Sequence, residues 1–362
     1  MIHLPVQIMH NFMVQVFSRI GVPEDEARIC ADVLISSDLR GIESHGIGRL
    51  KMYYDRIKLG IQNPETKIDV IRDKYATAVW DGNHGMGHVI AHKAMQTAIE
   101  KAKLYGLGSV AVRNSTHYGI CGYYADMATQ ENMIGLTFTN ARPSICPTNG
   151  VQPLLGTNPI CFGAPTNLPY PFIYDAATSI SQRGKVEQYA REERDTPPYW
   201  AINLQGEPQT DTKKLLNDLI DQTACMLPLG GTEEVTGSHK GYGLSTMVEI
   251  LSAALQNGSY LNGLWGRDAT GKDAPYCLGH FFMAINIDFF TELDDFKSIV
   301  TDICLQLQNS TKLPGRERIW VAGEKEYEKE LEVRANGIPI LDTLAKNICA
   351  IQKELGVNII DI

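Results

Sequence analysis

The chain contains no apolar run approaching the roughly 20 residues that cross a bilayer, so nothing in it reads as a transmembrane helix. Its first stretch, Met1 to Phe17, mixes apolar and polar residues and lacks the basic-then-apolar order of a signal peptide. No two of its eight cysteines (Cys30, Cys121, Cys146, Cys161, Cys225, Cys277, Cys304, Cys349) form a CxxC pair. Several sit among apolar neighbours, as in Asn158-Pro-Ile-Cys-Phe-Gly163, which is the pattern of reduced, buried thiols and makes a cytoplasmic location the expectation. Positive charge is in deficit: 33 Lys and Arg face 42 Asp and Glu, for a net charge of -9. That balance argues against nucleic-acid or membrane partners, which need a positive field. A local arginine can still bind a small anion. Two phosphate-binding signatures are missing as well: no GxGxxG follows a strand, and the glycines around Lys240 have the wrong spacing for a P-loop.

What is present is an ordinary globular composition, 44% hydrophobic and 21% charged over 362 residues, enough for a large core with attached lobes. Apolar spacing predicts helices over Pro5 to Ser18, from Pro23 to about Arg40, and over Arg49 to Lys58. Residues 1–62 are therefore expected to form a helical N-terminal segment, joined by C-terminal helices within 325–362. Residues 63–324 are read as an α/β core. Strands are expected at Lys67 to Arg72, Thr77 to Trp80, Ser109 to Val112, Ile134 to Phe138, Pro159 to Phe162, Phe172 to Tyr174 and Phe281 to Asp288. Helices are expected at Val89 to Tyr105, Tyr123 to Asn132, Lys240 to Leu255, Leu293 to Gln308, Tyr327 to Asn336 and Ile340 to Leu355, with an exposed charged one at Val186 to Arg194. The polar stretch from Ala201 to Asp221 gives no clear pattern.

Several clusters carry possible chemistry. His45, Arg49 and Tyr53 recur at helical spacing, which would align an imidazole, a guanidinium and a phenol on one stripe. Arginine pairs bidentately with a carboxylate, and histidine moves protons near neutral pH. A solvated helix face explains the same spacing. In Val112-Arg-Asn-Ser-Thr-His-Tyr-Gly119 an apolar strand runs into a polar loop, which places His117 at a strand's carboxyl end, where ligands gather in α/β sheets. Leu155-Gly-Thr-Asn-Pro159 is a tight turn with spare polar groups. Gly230-Gly231 followed by Gly237-Ser-His-Lys-Gly-Tyr-Gly243 could bring backbone N–H groups and Lys240 to a phosphate, or simply turn the chain. Tyr174-Asp-Ala-Ala-Thr-Ser179 ends a strand with small residues that would admit a flat ring. His84, His88 and His92 share a metal-ligand spacing, but the glycines around His84 suggest that the helix starts after it. No metal is expected.

Taken together, these stretches resemble the malate/L-lactate dehydrogenase family, which also includes ureidoglycolate dehydrogenase, sulfolactate dehydrogenase and diketogulonate reductase. The resemblance is carried by Asp38-Leu-Arg-Gly-Ile-Glu-Ser-His-Gly46, Asn114-Ser-Thr-His-Tyr-Gly119, Leu155-Gly-Thr-Asn-Pro-Ile160, Asp175-Ala-Ala-Thr-Ser179, Arg183-Gly-Lys185, Pro228-Leu-Gly-Gly231, His239-Lys-Gly-Tyr-Gly243 and Ala322-Gly-Glu324. It implies a non-Rossmann, mixed-sheet α/β fold of the sulfolactate-dehydrogenase kind with a helical N-terminal part, and a homodimer using NAD or NADP. It further implies hydride transfer between that cofactor and a small 2-hydroxy or 2-keto acid, malate- or lactate-like. By resemblance His117 comes first and His45 second as the proton-transfer residue. Arg49, Tyr53, Ser44 and Thr157 would contact substrate. Asn140, Asp175, Ala176, Ala177, Ser179, Lys185, His239, Lys240, Gly241, Gly323 and Glu324 would contact cofactor. Cys146 and the 201–221 stretch depart from the family pattern and bear on pocket shape. Ureidoglycolate, diketogulonate or a cyclic imino acid remain alternative substrates. A metal-dependent hydrolase or lyase built on His84, His88 and His92, or a binding protein without catalysis, are the rivals from other classes.

Overall fold

The computed structural model describes residues 2–357, 359 and 360. Residues 358, 361 and 362, at the end of the expected 325–362 segment, lie outside the described residues, as does Met1. A short strand β1 (Ile2–Leu4) leads into α1 (Val6–Arg19). This helix buries Met9, Phe12, Met13, Val16 and Phe17, the i, i+3, i+4 stripe of an amphipathic helix. Pro23 then opens α2 (Glu24–Leu39), whose first turn carries Glu24, Asp25 and Glu26 where the helix dipole favours acid. The helix α3 (Leu50–Lys58) follows.

Next come the sheet elements β2 (Asp69–Lys74), β3 (Thr77–Asp81), α4 (Gly87–Tyr105), β4 (Leu107–Ser115), α5 (Cys121–Gln130), β5 (Met133–Thr139), β6 (Ile160–Ala164) and β7 (Phe172–Ala176). A peripheral unit holds α6 (Arg183–Arg191), β8 (Ala201–Asn203), α7 (Thr212–Asp221) and β9 (Ala224–Met226). The chain returns through α8 (Ser238–Ala253), β10 (Leu278–Asn286) and α9 (Leu293–Asn309), and ends in α10 (Glu324–Asn336), β11 (Ile338–Ile340) and α11 (Asp342–Leu355). Among the described residues no helix is long and apolar enough to cross a membrane.

The main sheet has seven strands in the order β2-β3-β4-β10-β5-β6-β7. Only β3 and β4 pair in parallel, joined by α4 as a crossover; every other neighbouring pair is antiparallel. The sheet is therefore mixed, as expected. Alternate residues divide the two faces. Val110, Val112, Phe282 and Ala284 pack under α4 and α5, whereas Ala111, Phe281 and Phe138 pack with Val248 of α8 on the other side. A separate core joins α1, α2, Leu50 and Tyr53 of α3, and Ile348 and Ile351 of α11. The antiparallel pairing of β1 with β11 ties the first described residues to the last third of the chain.

One sequence expectation needs correction, and one stretch left unassigned gains a structure. The charged helix starts at Arg183, not Val186, and Val186 is its buried anchor against Trp200, Leu215 and Met226. The 201–221 stretch is structured: the Asp211 side chain caps α7 by accepting the Lys214 N–H at 2.9 Å, and Leu215 and Leu219 bury one face.

Candidate functional site

Antiparallel pairing to β10 on both sides makes β4 and β5 run the same way, and β7 runs with them. Their carboxyl ends consequently share one edge of the sheet, the edge at which β6 and β10 begin. A cleft of about 460 Å³ opens there, a size that suits a small-molecule site. It is lined by His117 beyond β4, Asn140 beyond β5, and Asp175, Ala176 and Ala177 at the end of β7. Thr157, Ser179, Lys185 and His45 complete the set of expected residues on its walls.

His45 arrives by a route that helical spacing did not foresee. His45 and Arg49 lie in two successive 3-10 turns, Glu43–His45 and Ile47–Arg49, and α3 begins only at Leu50. The cause is Asp38, buried near the end of α2, whose carboxylate accepts the Ile47 N–H at 2.8 Å. The chain wraps so closely around it that a Cβ on Gly46 would stand 1.7 Å from Asp38 Oδ1. Burial pushes the Asp38 carboxyl up to about 8. With the folded value raised from 3.8, the stability this group contributes is complete below about pH 4 and is lost as the pH rises through about 8. Asp38→Asn, which cannot ionise, should flatten that decline: its Tm should exceed that of the native protein at pH 8 by more than at pH 5. An unchanged pH profile of Tm would remove ionisation of Asp38 as the cause.

The two imidazoles stack, with ring centroids 5.5 Å apart and planes inclined by 24°. His117 Nδ1 lies 2.6 Å from the Tyr53 hydroxyl, and the Gly119 N–H donates to the same nitrogen at 3.4 Å. A phenol both donates and accepts, so Tyr53 can follow either protonation state of Nδ1 while Nε2 is left for the cleft. Tyr53 itself is fully buried and does not line the cleft. The structure thus sets it behind His117, not beside a substrate. Burial, then the neighbouring His45, Arg56 and Arg49, hold His117 well below the ordinary histidine value. Burial and Arg49 lower His45 to about 4. The Ser44 hydroxyl meets His45 Nδ1 at 2.9 Å, and the Ser44 carbonyl accepts from Arg49 Nε at 2.6 Å. Arg49 Nη2 is 3.9 Å from Glu187, too far for a full pair, and rests against Gly184, where a Cβ would come within 3.3 Å.

Other expected residues lie elsewhere. His239 and Lys240 are exposed on the first turn of α8, outside the cleft. Gly241 is buried against Leu229, which does line the cleft. The Glu324 carboxylate is taken by Arg318 and by the Val321 N–H. Gly323 lines a second cavity of about 450 Å³. This cavity shares Ile42, Ile120 and Asp175 with the first, so the two form one groove. The three-histidine alternative does not assemble. His84 sits in a left-handed turn before α4, and His88 is fully buried against Tyr53 with ring centroids 4.6 Å apart. His92 faces Tyr123, and among the described residues no three His, Cys, Asp or Glu side chains gather as a metal site.

The family model described as malate/L-lactate dehydrogenase matches residues 4–349. The chain belongs to the malate/L-lactate dehydrogenase family. It is 45% identical to a malate dehydrogenase of Pyrococcus abyssi over 98% of this chain and 96% of that protein. The crystal structure of a malate dehydrogenase from Entamoeba histolytica superposes with a TM-score of 0.96 at 44% identity, covering 98% of each chain. The sulfolactate dehydrogenase of Methanocaldococcus jannaschii superposes at 0.86 with 37% identity, covering 99% of this chain and 98% of that one.

Membership in the malate/L-lactate dehydrogenase family implies a nicotinamide cofactor, and the groove has the chemistry for one. The Ser181 hydroxyl is buried in the wall with no partner among the described residues. Lys185 lines the cleft with no carboxylate partner among the described residues, on the first turn of α6, where helix N–H groups favour an anion. Ala176 and Ala177 leave room for a flat ring. Asp175 is already engaged, accepting the Gly122 N–H at 2.7 Å, and burial raises its carboxyl. Sequence reasoning passed over Ser181, Gln182, Trp200 and Leu229, all of which line the cleft. Ser181 carried a signal, lying two residues beyond Ser179 at the same strand-end turn; Trp200 carried none.

Proposed function

We propose that the chain reduces a small 2-keto acid of the oxaloacetate kind to the 2-hydroxy acid, and the reverse, with NAD or NADP as cofactor. The observation that carries this reading is the His117 imidazole, held at Nδ1 by Tyr53 and open to a cleft it shares with His45. The names of the similar malate dehydrogenases support the dicarboxylate, and the sulfolactate dehydrogenase supports an acidic group at the same end of the molecule. When bound, a nicotinamide would supply or take up the hydride at C2. This chain's own residues do the rest. Arg49 turns its guanidinium to the C1 carboxylate, His117 Nε2 gives its proton to the carbonyl oxygen, and Tyr53 keeps the ring in place. His45, stacked on His117 and lowered to about 4, stays neutral beside it. Lys185 and Ser181 suit the cofactor's phosphates, and the cavity beside Gly323 suits its far end.

In the same reading residues 1–62 with 325–362 act as one helical unit beside the 63–324 core, a division favoured by the core that α1, α2 and α11 share. A homodimer is part of the proposal, and exposed Leu244, Met247 and Ile250 on α8 supply apolar surface for it. A cytoplasmic location suits eight free thiols.

The test is loss of nicotinamide absorbance with purified protein, both reduced cofactors, and a panel of oxaloacetate, pyruvate, a ureido acid and a cyclic imino acid. Oxaloacetate should be consumed fastest. No consumption of any keto acid with either cofactor would end the proposal.

A further inference from the structure

One buried carboxylate on α8 holds part of the cleft wall from behind. Glu249 is 6% exposed and follows Val248, the residue that seats α8 on the sheet. Its Oε2 accepts from Asn158 Nδ2 at 2.8 Å, and its Oε1 accepts the Leu261 N–H at 2.9 Å. Asn158 Nδ2 also donates to the Ser245 carbonyl, one turn earlier on α8, at 3.1 Å. Asn158 is itself fully buried, and the residues on either side of it, Thr157 and Pro159, line the cleft. Glu249 does not line the cleft; it meets the back of the turn whose front does.

Both segments that the carboxylate holds are strained. Asn158 has a φ of +37° and Leu261 one of +47°, in the left-handed region. Asparagine tolerates that region, and a leucine adopts it rarely. Such backbone persists only where its surroundings over-determine it. The Glu249 carboxylate is the group the two segments share. On its other side the turn is clamped by Thr178, whose N–H and hydroxyl donate to the Thr157 carbonyl at 2.9 and 3.1 Å. Burial raises the Glu249 carboxyl, while donation from Leu261, Asn158 and Asn140 acts against that rise. A carboxylate can serve all of these donors because both of its oxygens only accept, whereas a glutamine would set an N–H against one of them. A buried donor left without its acceptor is costly, so the turn would shift to find another.

We propose that Glu249 is a positioning residue for keto-acid reduction: its carboxylate, acting through Asn158, sets where Thr157 stands in the cleft wall relative to His117. This rests on the keto-acid reading above and names a residue outside the cleft on which the reaction depends. A displacement of about 1 Å in a group that orients substrate is enough to cost about 100-fold in rate.

The experiment follows the keto acid that the native protein reduces fastest, in the native protein, Glu249→Gln, Thr157→Val and the double variant, at a temperature where circular dichroism shows each one folded. Glu249→Gln should lower kcat/KM by about 10- to 100-fold. Thr157→Val, which removes the hydroxyl and keeps the shape, should lower it by about 10-fold. The double variant should fall no more than about two-fold below the poorer single, because both changes break one line of contact. Asn158→Gly cuts the same link from its other end without adding backbone strain, and should reproduce the Glu249→Gln loss. Affinity for reduced NAD and NADP, read by quenching of protein fluorescence, should change little, because Asn140 keeps its bonds to Gly279 and Ser259. A carboxylate that merely supports the fold predicts otherwise. Losses that multiply in the double variant, a normal rate in Glu249→Gln, Asn158→Gly or Thr157→Val, or a loss of cofactor affinity matching the loss in kcat/KM would overturn the proposal and leave the keto-acid reading intact. A native protein that reduces no keto acid would overturn both. Should Glu249→Gln not fold, Asn158→Gly combined with Thr157→Val makes the same comparison.

Discussion

Replacing His117 with alanine is expected to lower kcat for keto-acid reduction by about 100- to 10,000-fold, the range covered by a lost general acid. Cofactor affinity, read by quenching of protein fluorescence, should change little, because Ser181, Lys185 and the alanines beyond β7 remain in place. The pH profile carries more information than the size of the loss. Before substrate binds, His45, Arg56 and Arg49 add to burial in holding His117 low. A substrate carboxylate on Arg49 cancels one of those charges and moves the imidazole back toward neutrality. Reduction needs protonated His117, so activity falls as pH rises through its value. The fall should come at higher pH in kcat, which reports the complex with substrate, than in kcat/KM, which reports the protein before the acid binds. If His117→Ala kept its rate and His45→Ala lost it, the proton would travel through His45 instead.

Arg49→Lys should cut kcat/KM for oxaloacetate by roughly 100-fold, about 3 kcal/mol of transition-state binding. Charge is conserved in this variant, so the loss measures geometry. In the native chain Nε is fixed by the Ser44 carbonyl at 2.6 Å, which aims the two terminal nitrogens as a fork. Lysine has no equivalent of Nε and offers one nitrogen where the fork offers two. Gly184 leaves space for the guanidinium, and an ammonium there would be under-packed. Most of the effect should fall on KM if Arg49 holds substrate and transition state alike, and on kcat if it also fixes the carbonyl against His117. A change of only a few-fold in either would take Arg49 out of the substrate site.

Much of this architecture could be read from residue patterns, for identifiable reasons. The segments from Thr77 to Phe138 alternate cleanly between two-residue and helical periods, so β3, α4, β4, α5 and β5 were legible to within a few residues. His117 stood out because an apolar strand ran directly into it. The placement of β10 was invisible. Its composition marks a strand, but nothing in Leu278 to Asn286 says that it lies between β4 and β5, since pairing partners are chosen by tertiary packing. The stripe of His45, Arg49 and Tyr53 misled in a specific way. Helical spacing was present, yet the buried carboxylate of Asp38 captured the Ile47 N–H and turned the backbone before a helix could form. Those three residues still come together around His117, by a different path. The glycines before Lys240 advertised a phosphate site, whereas His239 and Lys240 are exposed and not among the residues lining the cleft. Backbone freedom there serves the turn into α8. The polar 201–221 segment hid a capped helix because its apolar positions are sparse, though Asp211 at its start was a readable cap.

The central position of β10 also governs how the molecule can be made. On a ribosome, β4 and β5 emerge long before residues 278–286, and until then each presents an open edge with no strand to cover it. The two halves of the sheet cannot join in the meantime, so the nascent chain must carry exposed β-edges through the synthesis of α6, α7 and α8. Any chain cut short before Leu278 would keep those edges permanently and would be prone to aggregate, even with the His117 loop complete.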